Sequence, residues 1–128
     1  MIVGLGIDIV HVDRIRRWIE IPGLVDRYFH PEEIAASRSR GAGEALSLAA
    51  RFAAKEAFGK AMGTGLAGIQ LTDIFVLNNH NGRPEMVLSG SAAARFEAAG
   101  GGRIHISLTH EGENAVAVAI IERDTSGS

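Results

Sequence analysis

From residue 44 to residue 62 the chain reads EALSLAARFAAKEAFGKAM, an alanine-rich run free of proline, preceded by a polar, glycine-punctuated segment at 37–43 and followed by Gly63-Thr64-Gly65. This spacing predicts a long helix, and that helix must organise everything else. At about 100° per residue, Leu46, Ala50, Ala53, Ala54, Ala57 and Ala61 fall on one side. Arg51, Phe52, Lys55, Glu56, Gly59, Lys60 and Gly63 fall on the other. The small side can lie close against a sheet.

Residues 2–10 alternate as a strand, with Ile2, Gly4, Gly6, Asp8 and Val10 on one face and Val3, Leu5, Ile7 and Ile9 on the other. Asp8 therefore shares a face with two glycines. Asp13 is positioned to cap a helix over 14–21, which ends before Pro22-Gly23. A further helical turn is expected over 25–29, and Pro31 suits the first position of a new helix. Later come strands near 72–77 and 84–88, joined by a turn at 78–82 whose Asn81-Gly82 is a hairpin signal. A short helix over 89–99, three glycines at 100–102 and two strands over 103–109 and 115–121 complete the order. A single domain is expected over 1–123, with a frayed tail at 124–128.

At 128 residues the chain has room for one core, and folding buries roughly two-thirds of the unfolded surface at this size. Its formal net charge of -2 and pI near 6.2 argue against a surface built for nucleic acid. The absence of cysteine excludes disulfides, thiolate zinc ligands and a thiol nucleophile, and fits the cytoplasm. The apolar start lacks a basic flank and reads as a strand, and no other stretch is long and apolar enough to span a membrane.

Asp8 in an apolar strand and Glu56 in an alanine-rich helix are carboxylates placed where burial is expected. Magnesium takes oxygen ligands, commonly one or two carboxylates completed by water and phosphate, so such a pair suits a diphosphate site. The alternatives stay open here: Glu56 and Lys60 have the spacing of a helix-surface salt bridge, and Asp8 that of a turn residue. Lys60 with Gly63-Thr64-Gly65 offers a cation and backbone donors for phosphate, although a glycine after a helix also serves as its cap. His105, Ser107 and Thr109 share a strand face without defining a catalytic triad. Arg14 and Arg17, joined by Arg27, with Trp18 and Phe29 as apolar neighbours, form either a solvated rim or a surface for an acidic helix.

Three blocks occur in order: Gly6-Ile7-Asp8-Ile9-Val10; the run 51–65, RFAAKEAFGKAMGTG; and His105-Ile106-Ser107-Leu108-Thr109-His110. Together they resemble the holo-[acyl-carrier-protein] synthases, the small trimeric type of the 4'-phosphopantetheinyl transferase superfamily, over nearly the whole chain. The resemblance implies an α+β fold in which a long central helix packs on an antiparallel sheet, assembled as a homotrimer with sites between subunits. It implies transfer of 4'-phosphopantetheine from coenzyme A to a serine of an acyl carrier protein in fatty acid biosynthesis. Asp8 and Glu56 match the magnesium ligands, and with Lys60 the catalytic positions. Lys60 and His105 match positions near the phosphates, Arg51 with Gly63, Thr64 and Gly65 the nucleotide cradle, and Arg14 the carrier-docking helix. Local spacing adds Arg17, Arg27 and Phe29 to the docking surface. Rival readings are a non-catalytic carrier-binding module, a magnesium enzyme acting on another nucleotide diphosphate, and a serine hydrolase.

Overall fold

The computed structural model describes residues 1–124; beyond Asp124, the expected tail lies outside the described residues. The elements run β1 (Ile2–His11), α1 (Val12–Ile19), α2 (Leu24–Tyr28), α3 (Pro31–Arg38), α4 (Glu44–Met62), β2 (Ile74–Asn78), β3 (Pro84–Leu88), α5 (Gly90–Ala98), β4 (Arg103–Glu111) and β5 (Asn114–Glu122). Single 3₁₀ turns at Gly41–Gly43 and Leu71–Asp73 lead into α4 and β2. One antiparallel sheet has the order β1-β5-β4, and β2 with β3 forms a separate hairpin. The α+β arrangement of a long helix on an antiparallel sheet is the one expected.

The three-stranded sheet lies on α4 through small residues from both partners. Ala115, Ala117 and Ala119 of β5 are fully buried against Ala53, Ala54 and Ala57 of the helix layer. On β1 the approach is closer still. A Cβ on Gly6 would sit 2.0 Å from the Ala57 carbonyl oxygen, and one on Gly4 2.0 Å from that of Ala61. Only residues without a side chain allow this contact. The glycine face of β1 thus turns inward, and Leu5, Ile7 and Ile9 turn outward.

The two-sided character expected of α4 is not observed. Arg51 and Lys55, assigned by periodicity to the side opposite the small residues, are 4 % and 0 % exposed, and Phe52 and Gly59 beside them are buried too. The sheet covers one flank, while α1, α3 and β2 cover the other. Alanines leave room for neighbours on every side. Leu48 and Phe58 on this helix are fully buried, and each contributes on the order of 2–3 kcal/mol through transfer from water.

The buried charges are answered within the fold. Lys55 pairs with Glu33 at 2.7 Å, both side chains fully buried. Burial pushes the Lys55 ammonium below its ordinary pKa, and Glu33 opposes that shift. Glu33 also accepts from the His30 amide, completing a capping box at the start of α3, where Pro31 occupies the first turn as expected.

The cap of α1 differs from expectation. His11 is the N-cap residue, its Nδ1 accepting from the Asp13 amide at 3.3 Å, because the helix begins at Val12 and places Asp13 inside the first turn. The β2–β3 turn follows its sequence signal: Gly82 has φ +79°, and the Asn79 side chain accepts from the Asn81 and Arg83 amides.

Candidate active site

The close packing of β1 on α4 brings Asp8 beside the last turns of the helix. Lys60 Nζ donates to Asp8 Oδ1 at 2.9 Å and to the Ile7 carbonyl at 3.0 Å. Asp8 is mostly buried, at 18 % side-chain exposure, whereas Lys60 is 56 % exposed. The sequence alternative of a Glu56–Lys60 surface pair is thus replaced by a contact between strand and helix. Glu56, one turn before Lys60 and half-buried, is raised above the ordinary carboxylate range by burial first and by the Asp8 charge second. Arg14 and Lys60 work in the opposite direction.

Two carboxylates held together against their mutual repulsion make a donor set suited to a hard divalent cation. Among the described residues no third histidine, cysteine or carboxylate joins them. Further oxygen ligands would therefore come from water and a phosphate-bearing substrate, as magnesium commonly takes them. The pair fits such an ion.

The turn after α4 is less open than its sequence suggested. Gly63 caps the helix with φ +80°, its amide donating to the Lys60 carbonyl, and the Gly65 amide donates to the Gly59 carbonyl at 3.0 Å. Two of the three amides expected for phosphate are thus taken by the helix end, because a left-handed cap folds the chain back onto its last carbonyls. Thr64 lies exposed between them.

Arg51 and the Gly63–Gly65 turn are apart within one chain, about 18 Å along the axis at 1.5 Å per residue. Arg51 donates from Nε to the Val76 carbonyl at 3.0 Å and from Nη1 to Ser47 Oγ. It lines a cleft of about 420 Å³ with Arg40, Asn78, Thr109 and His110. His105 is separated differently. It pairs with Ile120, whose partner on β1 is Leu5, whereas Asp8 pairs with Ala117, whose partner on β4 is Leu108. The pleat therefore places His105 and Asp8 on opposite faces. His105 Nε2 lies 3.0 Å from Glu122 Oε1 and borders a cleft of about 600 Å³ between β3 and β4.

Arg14, Arg17 and Arg27 are exposed, as a basic surface on α1 and α2 requires. The guanidinium of Arg14 lies 5.0 Å over the Trp18 ring and 5.4 Å from that of Phe52. Phe29 is a correction. It is fully buried, packed against Phe52 and the Lys55 ammonium, and cannot offer a contact surface. It follows α2 on extended backbone, which turns its ring into the core. Sequence reasoning missed its neighbour Tyr28, whose ring meets Trp18 at 5.0 Å. It also missed the Glu33–Lys55 pair, for which position in the 51–65 block was the only available signal.

Residues 4–120 match the sequence model of the 4'-phosphopantetheinyl transferase superfamily, and the chain belongs to that superfamily. It is 55 % identical over 122 residues, 95 % of its length and 99 % of the relative's, to the holo-[acyl-carrier-protein] synthase of Treponema denticola. The crystal structure of the Neisseria meningitidis holo-[acyl-carrier-protein] synthase superposes with a TM-score of 0.86 at 32 % identity, covering 96 % of this chain and 100 % of that one. A Bacillus anthracis holo-(acyl-carrier-protein) synthase, solved in complex with CoA (3',5'-ADP), gives 0.79 at 32 % identity, covering 97 % and 99 %. Within the superfamily the chain is a phosphopantetheinyl transferase of the holo-[acyl-carrier-protein] synthase type. No helix among the described residues is long and apolar enough to cross a membrane.

Proposed function

We propose that this chain, as one domain over residues 1–123, transfers 4'-phosphopantetheine from coenzyme A to a serine of apo acyl carrier protein. Adenosine 3',5'-bisphosphate is released, and the magnesium-dependent reaction serves fatty acid biosynthesis in the cytoplasm. The observation that carries this reading is the meeting of Asp8, Glu56 and Lys60 where glycines let β1 touch α4. It stands in a chain closely similar to named synthases.

Asp8 and Glu56 would hold the magnesium ion, which when bound supplies positive charge to offset that of the coenzyme A diphosphate. Lys60, whose side chain is 56 % exposed, exchanges its Asp8 contact for an oxygen of the transferred phosphoryl group or the leaving group. The carrier serine attacks the β-phosphorus, the bond to the adenosine bisphosphate oxygen breaks, and the serine proton passes to a nearby carboxylate or to water. Positioning and electrostatics carry the step. Arg14, Arg17 and Arg27 meet the acidic carrier.

The homotrimer implied by the resemblance has physical support in the outer face of the sheet. Leu5, Ile7 and Ile9 are 62 %, 53 % and 63 % exposed beside the half-buried Val116, Val118 and Ile120. A continuous apolar face favours burial against another copy. His105 stands on that face, so a neighbour's His105 and Arg51 can complete a site begun by Asp8, Glu56 and the turn 63–65. We expect Ile7→Glu to convert the trimer to monomers in light scattering and to lose transfer with it. An unchanged mass would overturn this assembly.

The activity is tested by intact mass spectrometry of an apo acyl carrier protein after incubation with this protein, coenzyme A and magnesium. The expected result is a mass gain of one phosphopantetheine arm that a chelator abolishes. No gain with several carriers, from a folded oligomer, would move the reading to a non-catalytic carrier-binding module.

A further inference from the structure

The transfer chemistry leaves one fully buried cation unused. The Lys55 ammonium contacts Glu33 Oε1 at 2.7 Å and donates to the carbonyls of Tyr28 at 2.7 Å and Leu71 at 2.9 Å. Glu33 is held in turn, its Oε1 accepting from the His30 amide and its Oε2 from the Val76 amide at 2.9 Å. Three separate segments therefore meet on one side chain of α4, and Glu33 ties β2 to them through Val76.

Helix α2 is five residues long and none of its side chains is fully buried, Val25 and Tyr28 packing only partly against the core, so its own packing holds it weakly. Tyr28 and Leu71 both line a surface cleft of about 390 Å³, also lined by Arg27, Ile69, Gln70 and Thr72. The same ammonium thus holds the backbone of both lining segments. Stability alone does not explain it, since replacing a buried ion pair by apolar groups of similar volume is often neutral or stabilising. An apolar pair could not donate to two carbonyls.

We propose that Lys55, held by Glu33, is a positioning residue for the carrier-docking surface. It sets α2, and with it Arg27, at a defined place relative to the helix that bears Glu56. Its link to docking rests on the transferase reading above. Lys55 acts through backbone carbonyls and touches no substrate.

Lys55→Met alone strands a buried carboxylate and is expected to unfold, so the informative variant is Lys55→Met/Glu33→Gln, which removes both charges. Trp18, the only tryptophan, lies with its ring centroid 5.0 Å from that of Tyr28, tilted by 35°, and reports the place of α2 without turnover. In the folded double variant, acrylamide quenching of Trp18 is expected to rise about twofold as α2 loosens. The KM for apo carrier is expected to rise about tenfold, with the KM for coenzyme A and the kcat at saturating carrier little changed.

Unchanged quenching overturns the proposal with or without activity. A fall in kcat with both KM values intact overturns it as well, because that is the signature of a smaller folded fraction. Increased quenching with an unaltered carrier KM removes the link to docking. A wild-type protein inactive with every carrier would instead sink the transferase reading, and the Trp18 measurement would still decide whether Lys55 positions α2.

Discussion

Glu56→Gln is expected to lower phosphopantetheine transfer by about a thousandfold, the scale of losing a preorganised electrostatic group at a reacting centre. Glutamine keeps the shape and one oxygen but removes the charge that, with Asp8, would hold magnesium; raising the metal concentration should restore little. The fold should not suffer. Burial and Asp8 raise the Glu56 pKa above its reference value of 4.5. A carboxyl with a higher pKa folded than unfolded supports the fold below its unfolded value, and that support is lost as pH rises through the folded value. At pH 7 without metal, the variant should therefore resist denaturant at least as well as wild type, and any advantage should vanish below about pH 4.5. Single-turnover assays and denaturant midpoints at two pH values measure both parts. Full turnover would remove Glu56 from the mechanism, and a lower midpoint at pH 7 would contradict the electrostatics.

Gly6→Ala should damage both the fold and the site with a single methyl group. The added carbon would lie 2.0 Å from the Ala57 carbonyl oxygen and 2.8 Å from the Ala61 nitrogen, both backbone atoms of α4 that no rotamer change can move. Relief requires β1 and α4 to separate, which costs about 3 kcal/mol or more of stability at the upper end of overpacking effects. The same separation carries Asp8 away from Glu56 and Lys60, and a displacement near 1 Å can lower a rate about a hundredfold. Gly43→Ala is the control, because its φ is −86° and its Cβ would meet only the Arg40 Cβ at 3.6 Å. Denaturant midpoints and transfer rates should drop for Gly6→Ala and stay near wild type for Gly43→Ala. A Gly6→Ala variant of normal stability would mean that β1 does not need its glycine contact with α4.

The 51–65 block was legible both as a helix and as a family signature, since an unbroken alanine-rich run followed by glycine is a local property. The hairpin at Asn81-Gly82 and the alternation of β1 were legible for the same reason. The direction of that alternation was not. The apolar face of β1 turns outward, because glycines opposite α4 permit a closer contact than Leu5 or Ile7 would. Phe29 illustrates the converse error: nearness in sequence to Arg27 said nothing of which way its ring turns once α2 ends on extended backbone.

What the sequence determined by itself was the inventory of elements, the small faces that allow close packing, and the residue types able to hold a hard cation and phosphate. The tertiary structure decided partnership. Lys60 bonds Asp8, fifty-two positions away, in place of a neighbour on its own helix. Lys55, expected on the helix side opposite the small residues, forms a buried pair with Glu33, while His105 lies on the opposite face of the sheet from Asp8. Periodicity specifies which residues share a face; only the packing of one face against another specifies what each charge meets and how far it is desolvated.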